Sequence, residues 1–137
     1  MKYLVDANVL SELTRQAPSP EVVEWLRRHE QDLMLDPIIL GEVKFGLLLL
    51  PKGKRRAALE LWFDSTVKTI PCVAWTADTA LRWSALLASL RKRGRAMPIK
   101  DSLIAASALQ HDLTVVTRNV RDFKTAGVRL VDPFPVH

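Results

Sequence analysis

Short runs of consecutive apolar residues alternate along this chain with longer stretches whose apolar positions recur at helical spacing. Residues 2–5 form the first run, closed at once by Asp6, and 7–13 follow with the spacing of a short helix. Pro18 and Pro20 mark a turn that opens a helix through His29, with Val22, Val23, Trp25 and Leu26 facing inward. A second apolar run, 33–35, is closed by Asp36 and Pro37, a cap and a first-turn proline for a helix reaching Leu50. A basic turn at 51–56 leads into a helix over 57–67. Residues 69–73 make a weak strand, which Pro71 confines to an edge. Thr76 caps a long helix to Arg93, stopped by Gly94. Pro98 suits the first turn of a helix through Leu109. The β-branched run 113–117 is a buried strand, 118–122 a polar turn, 128–131 a last strand, and Asp132 to His137 a tail. Strands and helices alternating from end to end predict an α/β fold, its parallel sheet covered on both faces and joined by right-handed crossovers.

The 137 residues suit one domain, 1–137, with one core. An apolar fraction of 48% and a charged fraction of 26% are ordinary for a globular chain. The net charge of +5 changes the picture more: it favours an anionic partner, nucleic acid first. Two segments concentrate it, Lys52, Lys54, Arg55 and Arg56, and then Arg91, Lys92, Arg93 and Arg95. Each is a candidate contact for an RNA backbone or simply a solvated face, the second also complementing a helix C-terminus. One cysteine, Cys72, cannot close an internal disulfide, which fits a reducing cytoplasm. The longest apolar run, 45–50, is far too short to span a membrane, and no signal peptide is visible.

His29, His111 and His137 lack zinc-site spacing, and no nucleophile elbow, phosphate loop or dinucleotide fingerprint occurs. What remains is acids. Asp6, Asp101 and Asp122 stand at strand ends or helix starts, where open α/β sheets gather their ligands. Glu42 lies among apolar neighbours in a helix. Asp6 also suits an ordinary helix cap, and Glu42 a solvent-facing helix position. Carboxylates without imidazole or thiolate suit a hard cation, Mg²⁺ or alternatively Mn²⁺. In a basic chain, that combination reads as a metal-dependent nuclease.

Four segments carry a resemblance. Tyr3-Leu-Val-Asp6-Ala-Asn8-Val-Leu-Ser-Glu12, Leu40-Gly-Glu42, Pro98-Ile-Lys-Asp101-Ser-Leu-Ile-Ala-Ala and Thr117-Arg-Asn119-Val-Arg-Asp122-Phe together resemble a PIN domain of the VapC-type toxin ribonuclease kind. The resemblance covers nearly the whole chain. It implies a three-layer α/β/α fold with a five-stranded parallel sheet, order 3-2-1-4-5, and acids at the C-terminal rim. It implies Asp6 and Asp101 as main metal ligands. Glu42 and Asp122 would complete the catalytic cluster, with Asn119 as an alternative fourth position acting through a water. It further implies RNA cleavage by a metal-activated water, leaving 5′-phosphate and 3′-hydroxyl ends. The implied partners are a second copy of the chain and a VapB-like antitoxin, as in type II toxin–antitoxin pairs. The apolar stretch 45–50 and the helices carrying Trp25, Trp62 and Trp83 offer the antitoxin a surface, and an antitoxin arginine would suit the acidic rim. The chain departs from the family pattern at Ala7, where Thr is frequent, at Asn119, where an acid is frequent, and at Pro37 and Ile39, which replace small hydroxyl residues.

Two other classes share some of these features. A receiver-like phosphoacceptor also carries strand-end acids, but wants paired acids after the first strand and a lysine after the last; here Asp6 has no acidic neighbour and Val131 is followed by Asp132. A non-catalytic RNA-binding α/β domain would gain nothing from buried negative charge.

Overall fold

The computed structural model describes residues 1–136; the end of the expected tail, His137, lies outside the described residues. Four parallel strands form one sheet: β1 (Tyr3–Val5), β2 (Leu33–Met34), β3 (Thr114–Val116) and β4 (Leu130–Val131), in the order β2-β1-β3-β4. Leu4, Val5, Val115 and Val116 are fully buried, as expected where helices cover both faces of a parallel sheet. Among the described residues seven α-helices connect and cover the strands. They are α1 (Ala7–Glu12), α2 (Pro20–Arg28), α3 (Pro37–Leu48), α4 (Lys54–Ser65), α5 (Ala77–Lys92), α6 (Ile99–His111) and α7 (Val120–Phe123).

Among the described residues the sheet has four strands, not the five in order 3-2-1-4-5 that the resemblance implied. The segment expected to form the outer strand, 69–73, makes a single parallel bridge between Cys72 and Leu35. Two hydrogen bonds flank it, Leu35 N–H to the Pro71 carbonyl and Val73 N–H to the Leu35 carbonyl, both 2.8 Å. The ladder stops there for two reasons. Pro71 has no N–H to extend it, and on the other side Asp36 already turns the chain into α3.

Other expectations shift as well. The helix expected from Ala57 starts at Lys54, so Lys54, Arg55 and Arg56 lie in its first turn. The short helix α7 begins within the expected polar turn at 118–122 and runs one residue past it. The tail is pinned as far as Phe134, which is buried beneath the Arg118 guanidinium, 4.4 Å from its ring centre.

What positions the site is the reversal of strand order. From β1 the chain moves outward to β2, then returns through α3 to α6 to place β3 on the other side of β1. The crevice at the carboxyl ends of β1 and β3 is therefore the topological switch point, where this class of fold gathers its ligands.

Candidate metal and phosphate site

Asp6 ends β1 and caps α1. Its carboxylate is almost buried, at 4% exposure. Oδ1 accepts the Ala7 N–H at 2.8 Å, and Oδ2 accepts the Thr117 hydroxyl at 2.8 Å and the Asn8 amide at 3.4 Å. The register makes this meeting inevitable: Val5 pairs with Val116, so the next residues of both strands, Asp6 and Thr117, stand side by side. The Thr117 hydroxyl also accepts the Asn119 N–H at 3.0 Å and the Asn8 amide at 3.3 Å, while the Asn8 carbonyl accepts the Arg118 N–H at 3.2 Å. The loop after β3 is thereby fastened to the start of α1. Burial raises the Asp6 pKa, opposed by the Thr117 and Ala7 hydrogen bonds and by the charge of Lys100.

Asp101 occupies the first turn of α6 and is 9% exposed. Among the described residues its side chain has no hydrogen-bond partner. Burial first, then the negative charges of Asp6, Asp122 and Glu42, push its pKa up to about 6. A carboxyl raised in this way reports several acids acting on one place. Glu42, half-buried on α3, is likewise raised, by burial and by Asp6 and Asp36 against the opposing Lys100. Its Oε2 lies 3.2 Å from the Lys100 Nζ.

The structure thus gathers Asp6, Glu42, Asp101 and Asp122 around one rim. Asp122, half-buried in α7, bears on Asp101 by its charge. Asn119 is exposed; its backbone caps α7, its carbonyl accepting the Asp122 N–H at 3.0 Å. Sequence reasoning gave no role to Lys100, Thr117 or Asn8, whose importance rests on strand register and helix contact. It also saw Asp36 only as a cap. Asp36 does cap α3, accepting the Ile39 N–H at 2.8 Å, but its other oxygen accepts the Ser107 hydroxyl of α6 at 2.7 Å, and the residue is wholly buried.

The donor set fits a hard cation: carboxylate oxygens whose mutual repulsion an ion would relieve. Among the described residues no three acid, imidazole or thiolate side chains converge closely enough to cage an ion unaided. Mg²⁺ needs no such cage, because it is held by one or two carboxylates and keeps several waters. Asp6 and Asp101 are the residues that would hold it.

The two basic segments differ. Arg56 is committed to Glu60 at 2.8 Å and to the Leu50 carbonyl at 3.3 Å. Arg91, Lys92 and Arg95 are exposed, and Arg93 reaches the Thr125 carbonyl at 3.1 Å, in the 3-10 turn that follows α7. Away from the rim, an apolar cleft of about 530 Å³ opens between α1, α2 and α4, lined by Leu10, Leu13, Leu26, Leu33, Trp62 and Ile70. Trp25 does not reach it; it packs against Tyr3 and His29. Trp83 donates to the Ser102 hydroxyl at 2.9 Å, beside Asp101. Of the stretch 45–50, Phe45, Leu48 and Leu49 are exposed. No helix among the described residues is long and apolar enough to cross a membrane.

Comparison with known proteins agrees with this architecture. The family model described as PIN domain matches residues 3–128. The VapC ribonuclease Y4jK of Sinorhizobium fredii is 30% identical over 96% of each chain. Toxin FitB of Neisseria gonorrhoeae is 31% identical over 96% of this chain and 97% of its own. The structure of FitAB bound to a DNA fragment superposes with a TM-score of 0.91 at 28% identity, covering 98% of this chain and 97% of that one.

Proposed function

This chain belongs to the PIN domain family, and we propose that it is a divalent-metal-dependent endoribonuclease, the toxin of a toxin–antitoxin pair. The observation that carries the reading is the convergence at the strand-order reversal. Asp6 and Asp101 stand there with Glu42 and Asp122, and burial first, then the charges of the other three acids, push Asp101 up to about 6.

A Mg²⁺ or Mn²⁺ held there would supply positive charge for a phosphate oxygen and would lower the pKa of a water so that hydroxide is available to attack phosphorus. The chain's residues do the rest. Thr117 and the Ala7 N–H fix both oxygens of Asp6, so that acid is held in one orientation. Asp101 keeps its oxygens free of protein donors and thus open for an ion or a water. Asp122 adds negative charge from the far side of the rim. The exposed Arg91, Lys92 and Arg95 suit the phosphates of a longer RNA.

The relatives' names, toxin and ribonuclease, support an antitoxin partner for this chain as well. The cleft around Trp62 and the exposed Phe45, Leu48 and Leu49 give such a partner, and a second copy of the chain, apolar surface to cover. An antitoxin arginine placed on the rim would pair with Asp6, Glu42 or Asp101 and exclude the ion by charge.

The test is cleavage of end-labelled RNA by the purified chain with Mg²⁺, with EDTA, and by the Asp6→Asn variant. Activity that survives EDTA or Asp6→Asn refutes the assignment. In cells, induction should arrest growth, RNA ends should accumulate only with the wild type, and coexpression of the adjacent small gene should relieve the arrest. Harmless wild-type expression with no copurifying small protein would end the toxin reading, even with the nuclease reading intact.

A further inference from the structure

Lys100 is a cation set among acids. It directly precedes Asp101 on α6, and its Nζ reaches across to α3, 3.2 Å from Glu42 Oε2. Its charge favours the ionised forms of Asp6, Glu42 and Asp101 alike. Among the described residues Glu42 is its one ion-pair partner, and its side chain remains 60% exposed against 22% for Glu42. A lysine on a flexible stem, half in water and held by one contact, reorients at small cost.

A divalent ion brought to Asp6 and Asp101 carries twice the charge of this ammonium and repels it. Glu42 then faces two competing cations. We propose that Lys100 is the tethered counter-cation of the rim: it holds Glu42 until a divalent ion takes over the acids, and the released ammonium then contacts the substrate phosphate beside Asp101. The exchange leaves the rim less negative in both states than four carboxylates alone would be. Only the phosphate contact rests on the nuclease reading; the exchange is a property of the RNA-free protein.

Both halves are tested with Lys100→Ala and Lys100→Arg, after melting curves confirm folding. Mn²⁺ is titrated calorimetrically into RNA-free protein at low ionic strength. Losing a competing, partly exposed ion pair should tighten Mn²⁺ binding by Lys100→Ala about threefold to fivefold, while Lys100→Arg stays near wild type. Unchanged or weaker Mn²⁺ binding by Lys100→Ala, or no binding by any of the three proteins, overturns the exchange. At saturating Mn²⁺, Lys100→Ala should cleave RNA about tenfold to a hundredfold more slowly under single-turnover conditions, with Lys100→Arg recovering much of the loss. Equal cleavage by Lys100→Ala and wild type overturns the phosphate contact. A wild type that binds Mn²⁺ yet cuts no RNA removes the nuclease reading and leaves the titration to decide the exchange.

Discussion

Asp6 and Asp36 follow adjacent parallel strands, cap the helices that come next, and are both buried. Burial raises the pKa of each. By local code they are the same residue twice. Their surroundings separate them. Asp6 opens on the crevice between β1 and β3, shares its environment with Lys100, and faces Asp101 and Glu42. Asp36 lies one strand outward and is sealed, one oxygen on the Ile39 N–H and the other on the Ser107 hydroxyl. The Asp36–Ser107 bond and the Lys100–Glu42 pair are two rungs between α3 and α6, six residues apart along the first and seven along the second. One strand-end acid faces reactants; its neighbour holds together the helices that carry the remaining acids.

The sharpest break between the two is activity. Asp6→Asn, and equally Asp101→Asn, should lower RNA cleavage by at least about a hundredfold. Their melting temperatures should be unchanged or higher, because a like charge has left the cluster. Asp36→Asn should stay active, since an amide caps a helix and can bond Ser107. If Asp36→Asn loses as much activity as Asp6→Asn at equal folded fraction, the two acids are not distinct in role.

Stability should invert the ranking. Asp36→Ala removes a cap and strands the buried Ser107 hydroxyl, a loss of about 1–3 kcal/mol in denaturant unfolding. A midpoint equal to wild type would show that the α3–α6 rung contributes nothing.

The far side of the rim offers a finer test. Asp122→Asn removes a charge acting on Asp101, whereas Asn119→Ala removes an exposed amide. Asp122→Asn should therefore cost more activity; the reverse order would move the fourth position to Asn119.

The pH dependence of the metal-free protein follows from Asp101. Its folded pKa, about 6, exceeds the ordinary 3.8, so between these values the native state holds a proton the unfolded chain has released. Stability contributed by this group is therefore greatest below about pH 4 and falls as pH rises to about 6. Asp6, Asp36 and Glu42 are raised too and act in the same sense. Melting curves should show a shallower fall for Asp101→Asn, and Mg²⁺ should offset the fall in the wild type. An identical profile for the variant would sink the assignment of the shift to this site.

The smallest effect belongs to the basic segments. Charge-neutral replacement of Arg91, Lys92 and Arg95 should flatten the salt dependence of RNA binding across all sequences. The same change at 52–56 should do less, because Arg56 is already committed to Glu60 and Leu50. Equal slopes for both would leave each segment a solvated face.

Strand and helix order, the helix caps and the candidate acids were legible in the sequence, because they rest on local causes. An apolar run closed by Asp, a proline in a first turn, and Gly94 with φ of 65° after a long helix are decided within a few residues. The outer strand was overestimated for the opposite reason. Residues 69–73 look like a strand, but pairing also depends on the neighbour, and Leu35 is followed at once by Asp36, the cap of α3. Likewise nothing near Asp6 in sequence announces Thr117, which reaches it through the register of β1 on β3. Composition and spacing determined that this is a basic α/β chain with acids at its element ends. Only the tertiary structure decided which of two identical strand-end acids faces the crevice. Strand order and helix packing bring together groups more than sixty residues apart, and burial acts on the assembled neighbourhood rather than on the local segment.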